Sequence, residues 1–186
     1  MLKALALYLG ERKKALYEVS FATGATHSDH LIDVDGGIGT LFVYASKGRR
    51  ELPDGRVLLD GGTEQLGRTG KFLGQHVYTP LQGVAVHVNA FNFPVWGMLE
   101  KRAPSLLAGV ASIVKPATVS CYVTEACVRL MLESGLLPEG ALQFDRETVG
   151  NRPGVGDPVA DEDGGGLRHA EDPISEALAR VPANET

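Results

Sequence analysis

Cysteine is scarce in this sequence of 186 residues. The two present, Cys121 and Cys127, lie six positions apart and match neither a disulfide framework nor the spacing of a zinc site. No hydrophobic run is long enough to cross a bilayer, since the apolar start reaches the charged residues 11–14 within one short helix. We therefore expect a protein of a reducing, cytoplasmic compartment without a membrane partner.

An excess of positive charge is also lacking. The 18 lysines and arginines face 23 acidic residues, which gives a net charge of −5, and the basic side chains are scattered along the chain. A surface that follows a phosphate backbone needs clustered basic side chains, so nucleic acid is not an expected partner. Hydrophobic residues make up 44% of the chain, which is enough for one domain with a core.

Two helices are predicted to lead the chain. Apolar residues follow helical spacing from Met1 to Val19, with a break expected at Gly10 and a glycine cap at Gly24. Ser28 is the expected N-cap of a second helix that runs to about Lys47. The segment 51–70, rich in glycine and aspartate without a sustained period, is predicted to be a loop.

The hydrophobic pattern then changes to that of strands alternating with helices. Strands are expected within 71–79, 84–88, 110–114 and 141–144, and helices at 94–109 and from about residue 120 to Gly135. Because the last three strands are separated by helices, right-handed crossovers and an α/β fold with a parallel sheet are predicted. After Phe144 no aromatic residue occurs and Asp, Glu, Gly and Pro become dense, so residues 145–186 are predicted to be a disordered tail.

Ligand sites of parallel sheets lie beyond the carboxyl ends of the strands, here at 89–92 and 115–118. The Asn92 amide offers two uncharged donors, which suits either a developing oxyanion or a plain helix N-cap, and both interpretations stay open. Lys115 ends an apolar strand, where its ammonium could reach a ribose or phosphate or extend into solvent at the sheet edge.

Other polar groups are weaker candidates. The cluster His27, His30, Asp33 and Asp35 has metal-binding side chains, but a helix fixes no third ligand on the same face, so a solvated helix face is favoured. The glycines of 36–39 lack the preceding strand of a phosphate loop, and close helix packing is the better interpretation.

The remaining reactive side chains are expected to be structural. Nothing near Cys121 or Cys127 is placed to lower a thiol pKa, so neither is predicted to be a nucleophile. Glu100 could be a general base, but Glu100, Lys101 and Arg102 together are typical of the polar side of a helix with balanced charge.

Three motifs carry a family resemblance: NAFNFPVW at 89–96, PSLLAG at 104–109 and IVKPAT at 113–118. In order and spacing they resemble the aldehyde dehydrogenase superfamily. The stretches DGGIGTLF at 35–42 and GMLEK at 97–101 are most similar to the dehydrogenase domain of the bifunctional proteins of phenylacetate degradation and to related CoA-semialdehyde dehydrogenases. The similarity extends from Met1 to about Leu142 and implies that residues 1–144 form a partial, Rossmann-like cofactor-binding domain with leading helices.

The resemblance implies roles for residues at both strand ends. Asn92 corresponds to the asparagine whose amide helps to hold the oxyanion, and Lys115 to the lysine that binds the adenosine ribose. Thr118 stands where many NAD-preferring members carry an acid, so NADP is slightly favoured over NAD. The strand end that borders the cofactor is implied at Val88, Asn89 and Phe91.

The resemblance also implies a reaction. In the family a later cysteine attacks the aldehyde, hydride passes to the nicotinamide, and a glutamate helps water release the acid. Those residues lie beyond the similar segment, so we expect an incomplete piece of a homo-oligomeric enzyme without unaided activity. The complete enzyme is expected to oxidise an aldehyde, a CoA-linked semialdehyde of aromatic-compound degradation, to a carboxylic acid. The alternative is a non-catalytic nucleotide-binding or subunit-association module.

Overall fold

The computed structural model describes residues 1–145, so residues 146–186, nearly all of the predicted tail, lie outside the described part of the chain. Its helices and strands are α1 (Leu2–Phe21), α2 (His27–His30), a π-helical turn (Leu31–Asp35), α3 (Gly36–Glu51), β1 (Leu58–Gln65), β2 (Leu73–Tyr78), β3 (Val84–Val88), α4 (Trp96–Leu107), β4 (Ala111–Lys115), a 3-10 turn (Thr118–Ser120), α5 (Cys121–Glu133) and β5 (Leu142–Phe144).

The last three strands form one parallel sheet in the order β3-β4-β5. The register runs from Val84 opposite Ala111 to Val88 opposite Lys115, and Ser112 lies opposite Leu142. Helices α4 and α5 connect the strands, as a parallel order requires. The α/β class and the parallel sheet predicted from the alternation of strand and helix patterns are confirmed.

The core lies where α1, the π-helical turn, α3, α4 and α5 meet, and it reaches β4 and β5. Its side chains are almost entirely aliphatic, with sulfur from Met98, Cys127 and Met131 filling gaps between helices. None of the helices within residues 1–145 is long and apolar enough to span a membrane. The fully buried aliphatic members include Leu5, Leu9, Leu16, Val34, Leu41, Val95, Leu99, Val114 and Val123.

The leading helices differ in detail from the prediction. Helix α1 continues through Gly10, because buried leucines on both sides of the glycine keep one face docked and a mid-helix glycine costs only about 1 kcal/mol. The glycine cap at Gly24, with φ +87°, is confirmed. The second N-cap is Thr26 instead of Ser28: the Asp29 carboxylate accepts the Thr26 N–H at 2.7 Å, and the Thr26 hydroxyl accepts the Asp29 N–H.

The loop predicted for residues 51–70 is also wrong in part. Strand β1 occupies Leu58–Gln65 and pairs with β2 in an antiparallel hairpin. The register shifts between Asp60 and Glu64, around Gly61 with its φ of +71°. This bulge breaks the alternation of period two by which a strand is recognised in sequence. The segment is a strand because it pairs with β2, and this pairing cannot be read from the segment's own sequence.

Candidate functional site

Strands β3 and β4 end side by side, and the chain leaves both at the same edge of the sheet. Val88 lies opposite Lys115 in the register, and the Asn89 N–H donates to the Lys115 carbonyl at 3.0 Å, which extends the pairing by one residue. The carboxyl ends of neighbouring parallel strands form the crevice in which α/β proteins bind ligands. The predicted meeting of segments 89–92 and 115–118 is therefore confirmed, and both contribute to one candidate site.

The predicted site residues differ in their exposure at this edge. Val88 and Phe91 are 63% and 65% exposed, so they present apolar surface to solvent, and Asn92 is exposed as well. Lys115 and Thr118 are half-buried, with Thr118 opening the 3-10 turn that leads into α5. The exposed apolar side chains of Val88 and Phe91 thus lie at the same edge of the sheet as the Lys115 ammonium and the Asn92 amide.

Asn89 is buried in this edge, with 5% of its surface exposed. Within residues 1–145 neither its side-chain oxygen nor its side-chain nitrogen has a hydrogen-bond partner. Buried amides are almost always hydrogen-bonded, and an orphan costs about 1–3 kcal/mol. Its unmet donor and acceptor therefore suit the hydroxyl groups of a ligand bound in the crevice.

Asn92 lies in the turn formed by residues 89–95, called here the Asn92 turn. Helix α4 begins at Trp96 and Val95 occupies its N-cap position, so the helix N-cap interpretation of Asn92 is wrong. The N–H groups at the start of α4 are bound by the Asp33 carboxylate, whose oxygens accept from Val95 N at 3.1 Å and from Trp96 N at 2.7 Å. Asn92 keeps its exposed amide available for a ligand.

Two hydroxyl groups hold the Asn92 turn from α5. Ser120 Oγ donates to the Phe91 carbonyl at 2.9 Å, and Thr124 Oγ1 donates to the Pro94 carbonyl at 3.2 Å. Ser120 precedes α5 but makes no side-chain cap, because its hydroxyl is used in this contact. The contacts of these two hydroxyls and of Asp33 with the turn were not predicted from the sequence. Their partners are 29 to 63 residues away, so no local pattern indicates them.

The solvated interpretation of the histidine and aspartate cluster is wrong for two of its members. His30 and Asp33 are 0% and 5% exposed, whereas His27 is exposed as expected. Burial raises the pKa of Asp33 to about 6, against the opposing effect of its two backbone hydrogen bonds. Asp35, half-buried, accepts hydrogen bonds from Lys13 and Tyr17. Within the described part of the chain, no group of three His, Cys, Asp or Glu side chains is placed to hold a metal ion.

His30 is enclosed by rings. It stacks on Tyr17 with 4.9 Å between ring centroids and meets the edge of Phe21 at 4.4 Å. Neither imidazole nitrogen has a hydrogen-bond partner among residues 1–145, and burial lowers the pKa of the imidazole. The ring is therefore held as a neutral aromatic part of the core.

The prediction of a solvated polar helix face holds for Glu100 and Lys101, which form an ion pair at 3.5 Å, and is wrong for Arg102. Arg102 is fully buried because it lies four positions after Met98 and three after Leu99, on the apolar face of α4. One guanidinium nitrogen donates to Ser112 Oγ on β4, and Nε and Nη2 have no partner within residues 1–145. Burial lowers the pKa of Arg102 to about 10.

Two structural interpretations are confirmed. Cys121 and Cys127 are both buried, and burial raises the pKa of each thiol, so neither is a ready nucleophile. Of the glycines at the start of α3, Gly36 and Gly37 serve close helix packing, since a Cβ added at Gly37 would lie 2.9 Å from the Cα of Trp96, whereas Gly39 has open space around it. Helix α3 can therefore contact the start of α4, next to the Asn92 turn.

Comparison with known proteins identifies relatives of this arrangement. The sequence model described as "Aldehyde dehydrogenase family" matches residues 1–164. The chain is 45% identical to 3,4-dehydroadipyl-CoA semialdehyde dehydrogenase of Aromatoleum evansii over 144 residues, which cover 77% of this chain and 28% of that protein. The chain thus spans less than a third of that relative's length.

Solved structures show the same fold. Succinic semialdehyde dehydrogenase of Streptococcus pyogenes, in complex with NADP+, superposes with a TM-score of 0.61 at 21% identity, covering 80% of this chain and 31% of that one. 1-Pyrroline-5-carboxylate dehydrogenase from Thermus with bound NAD gives a TM-score of 0.58 at 20% identity, covering 77% and 26%.

Proposed function

The chain belongs to the aldehyde dehydrogenase family, and we propose that residues 1–144 form part of the cofactor-binding region of an enzyme that oxidises an aldehyde to a carboxylic acid with NADP or NAD. The observation that carries the proposal is the buried, unpartnered amide of Asn89 beside Lys115, at the carboxyl ends of two parallel strands. Such an edge is where α/β folds bind dinucleotides.

The residues at this edge have the chemistry that a dinucleotide requires. The Lys115 ammonium, half-buried at the end of β4, donates to ribose hydroxyls, and the more deeply buried Asn89 amide supplies a donor and an acceptor next to it. Val88 and Phe91 offer the apolar surface on which the flat rings of the cofactor rest. When bound, the cofactor supplies the hydride acceptor for aldehyde oxidation.

Thr118 favours NADP slightly over NAD in this proposal. Its neutral side chain opens the turn that follows β4, close to the ribose-binding lysine in sequence. A carboxylate there would accept the 2′-hydroxyl of NAD and repel the 2′-phosphate of NADP. A threonine leaves both cofactors acceptable.

Asn92 is proposed to stabilise the oxyanion of the reacting aldehyde. Its amide is exposed on a turn whose backbone is fixed by Asp33, Ser120 and Thr124. Fixed donors that point to the place where negative charge develops lower the barrier without reorganisation. Neither Cys121 nor Cys127 is proposed as the nucleophile, because both are buried with raised thiol pKa.

The substrate class we propose is a CoA-linked semialdehyde from aromatic-compound degradation. Support comes from the 45% identity to a protein named 3,4-dehydroadipyl-CoA semialdehyde dehydrogenase. We further propose a cytoplasmic location, in which the two free thiols remain reduced.

A second candidate function is a non-catalytic module that binds a nucleotide or associates with other subunits. The buried thiols favour it, and so does the apolar surface of the edge strand β3, whose Val84, Val86 and Val88 are each more than half exposed. Exposed apolar patches of this kind are typical of association surfaces. A homo-oligomer is the assembly we expect for either function.

Calorimetric titration of the purified chain with NADP and NAD tests the proposal. Lys115→Ala is expected to weaken binding by about 10–100-fold, as for the loss of a hydrogen bond from a charged donor. Lys47→Ala is the matched control, because Lys47 is exposed on α3 and pairs with Glu51. Thr118→Glu is expected to shift the preference from NADP towards NAD. Absence of binding by the wild-type chain, or equal loss in the Lys47 variant, would contradict the proposed cofactor site.

A further inference from the structure

The contacts of Asp33 point to a role that the family comparison does not give. We propose that Asp33 is a positioning residue of the candidate site, which fixes the Asn92 turn by binding the N–H groups of Val95 and Trp96. The pair of hydrogen bonds from the N–H groups of Val95 and Trp96 to Asp33 is called here the Asp33 clamp. The role of the turn rests on the proposed function, whereas the clamp can be tested without it. Three observations support this role: the geometry of the contacts, the placement of Asp33 in a π-helical turn, and the hydrogen bonds from Ser120 and Thr124 to the Asn92 turn.

The carboxylate of Asp33 spans two consecutive peptide groups. Oδ1 accepts from Val95 N at 3.1 Å and from Trp96 N at 2.7 Å, and Oδ2 approaches Val95 N at 3.3 Å. These N–H groups lie at the start of α4 and have no partner within that helix. A negative charge at a helix N-terminus is favourable, and hydrogen bonds to a carboxylate are about twice as strong as neutral ones.

An ordinary helix N-cap does not require this arrangement. A serine or asparagine at the N-cap position would bind an N–H group of the first helical turn without burying a charge. Here the acceptor is 62 residues earlier in the chain and 5% exposed, so its desolvation is unfavourable unless both hydrogen bonds form. The contact therefore joins the leading helices to the candidate site.

The π-helical turn separates the two aspartates that it contains. Asp33 is buried towards α4, whereas Asp35, two residues later, is bonded to Lys13 and Tyr17 of α1. Single π-helical turns inside longer helices are frequent at functional sites. Asp35 thus provides a matched control: an aspartate in the same turn that makes no contact with the Asn92 turn.

The Asn92 turn is held on its other side by α5. Ser120 binds the Phe91 carbonyl just before Asn92, and Thr124 binds the Pro94 carbonyl two residues after it. With Asp33 on the N–H groups of Val95 and Trp96, the backbone is held from outside on both sides of Asn92. These contacts restrict the backbone that carries Asn92, and such pre-organisation is what a group that holds an oxyanion requires.

Few titratable groups face Asp33. From α5 the thiol of Cys127 senses its charge, and this thiol stays neutral because burial raises its pKa. From α4 the facing groups are the peptide N–H groups of Val95 and Trp96. On its own helical segment His30 lies one turn earlier, and its pKa is lowered. Protonation of Asp33, whose pKa is raised to about 6, weakens its acceptor strength as the pH falls.

The test compares Asp33→Asn with Asp35→Asn. Trp96 is the single tryptophan of the chain, so its fluorescence reports on the clamp directly. In the wild type and in Asp35→Asn, we expect a fluorescence transition with a midpoint near pH 6. At pH values above this midpoint, the hydrogens of the Val95 and Trp96 amides should exchange slowly with solvent. Asp33→Asn is expected to lose the transition, to exchange these amides faster, and to bind NAD on the order of tenfold more weakly. NAD is the probe, because the 2′-phosphate of NADP itself titrates near pH 6.

The outcomes separate the two proposals. Unchanged amide exchange, fluorescence and NAD affinity in Asp33→Asn would overturn the role of Asp33. If that variant does not fold, the wild type decides: a joint fall in NAD affinity and change in fluorescence below about pH 6 supports the clamp, and the lack of a shared transition refutes it. If the wild type binds neither NAD nor NADP, the proposed function fails, and amide exchange and fluorescence still decide whether Asp33 holds the turn.

Discussion

Replacement of Arg102 by methionine is expected to stabilise the fold. The guanidinium is fully buried between α4 and β4, with Ser112 as its only hydrogen-bond acceptor among residues 1–145. Two of its nitrogens lack a partner there. A buried charge without a counter-charge opposes folding, and buried ionic groups can often be replaced by apolar residues of similar size with a gain in stability. Methionine keeps the unbranched stem of arginine.

The magnitude follows from the pKa. Burial lowers the pKa of Arg102 from the usual value of arginine to about 10, which corresponds to a destabilisation on the order of 3 kcal/mol for the charged form. Loss of the hydrogen bond to Ser112 removes about 1.5–3 kcal/mol, and burial of the methionine side chain returns about 1.5–3 kcal/mol. The last two contributions cancel, so the expected net gain in the free energy of unfolding is on the order of 3 kcal/mol, or a rise in melting temperature of about 6–12 °C.

The gain is expected to depend on pH at the alkaline end. Above about pH 10 the folded wild type releases the Arg102 proton while the unfolded chain, with the usual higher pKa of arginine, retains it. The unfolded state then binds more protons, so the stability of the wild type rises with pH relative to the variant. The advantage of Arg102→Met should therefore be complete below pH 10 and decrease above it.

Urea denaturation followed by circular dichroism at pH 8 measures the effect. Arg49→Met is the control, since Arg49 is exposed on α3 and its replacement should change the free energy of unfolding by less than about 0.5 kcal/mol. The double variant Arg102→Met with Ser112→Ala should be at least as stable as Arg102→Met, because it removes the hydroxyl left without its donor. A less stable Arg102→Met chain would refute the reasoning, since it would mean that the guanidinium favours folding in its buried position.

Two further predictions concern the core beside the site. Gly37→Ala should destabilise the fold by about 1–3 kcal/mol, because its Cβ would lie 2.9 Å from the Cα of Trp96, whereas Gly39→Ala, with open space around it, should be neutral or stabilising in the same melting assay. His30 is buried as a neutral ring with a lowered pKa, so the unfolded chain takes up its proton first and the wild type should lose stability as the pH falls below 6.5. His30→Phe should lack this part of the pH dependence, and identical pH profiles of the two proteins would contradict the assignment.

The sequence predicted most of the elements near the site. Alternating Val84, Val86 and Val88, and the apolar run ending at Lys115, indicated two strands because period two is a local property of the chain. The helices between the strands predicted a parallel order, which places Asn89 and Lys115 at one edge of the sheet. The hydrogen bond between their backbones agrees with this prediction. The glycine at position 37 indicated close helix packing for a similarly local reason.

The tertiary structure decided which polar residues are buried and what they bind. The charge of Arg102 predicts a polar face, yet helix α4 packs with the side of Met98, Leu99 and Arg102 in the core. Asp33 was assigned to a solvated face, yet it binds amides 62 and 63 residues away. The periodic spacing of apolar residues shows which side of a helix or strand is buried, and neighbouring residues are enough to reveal it. A hydrogen bond between distant segments depends on how whole helices pack, and no local pattern of the sequence records it.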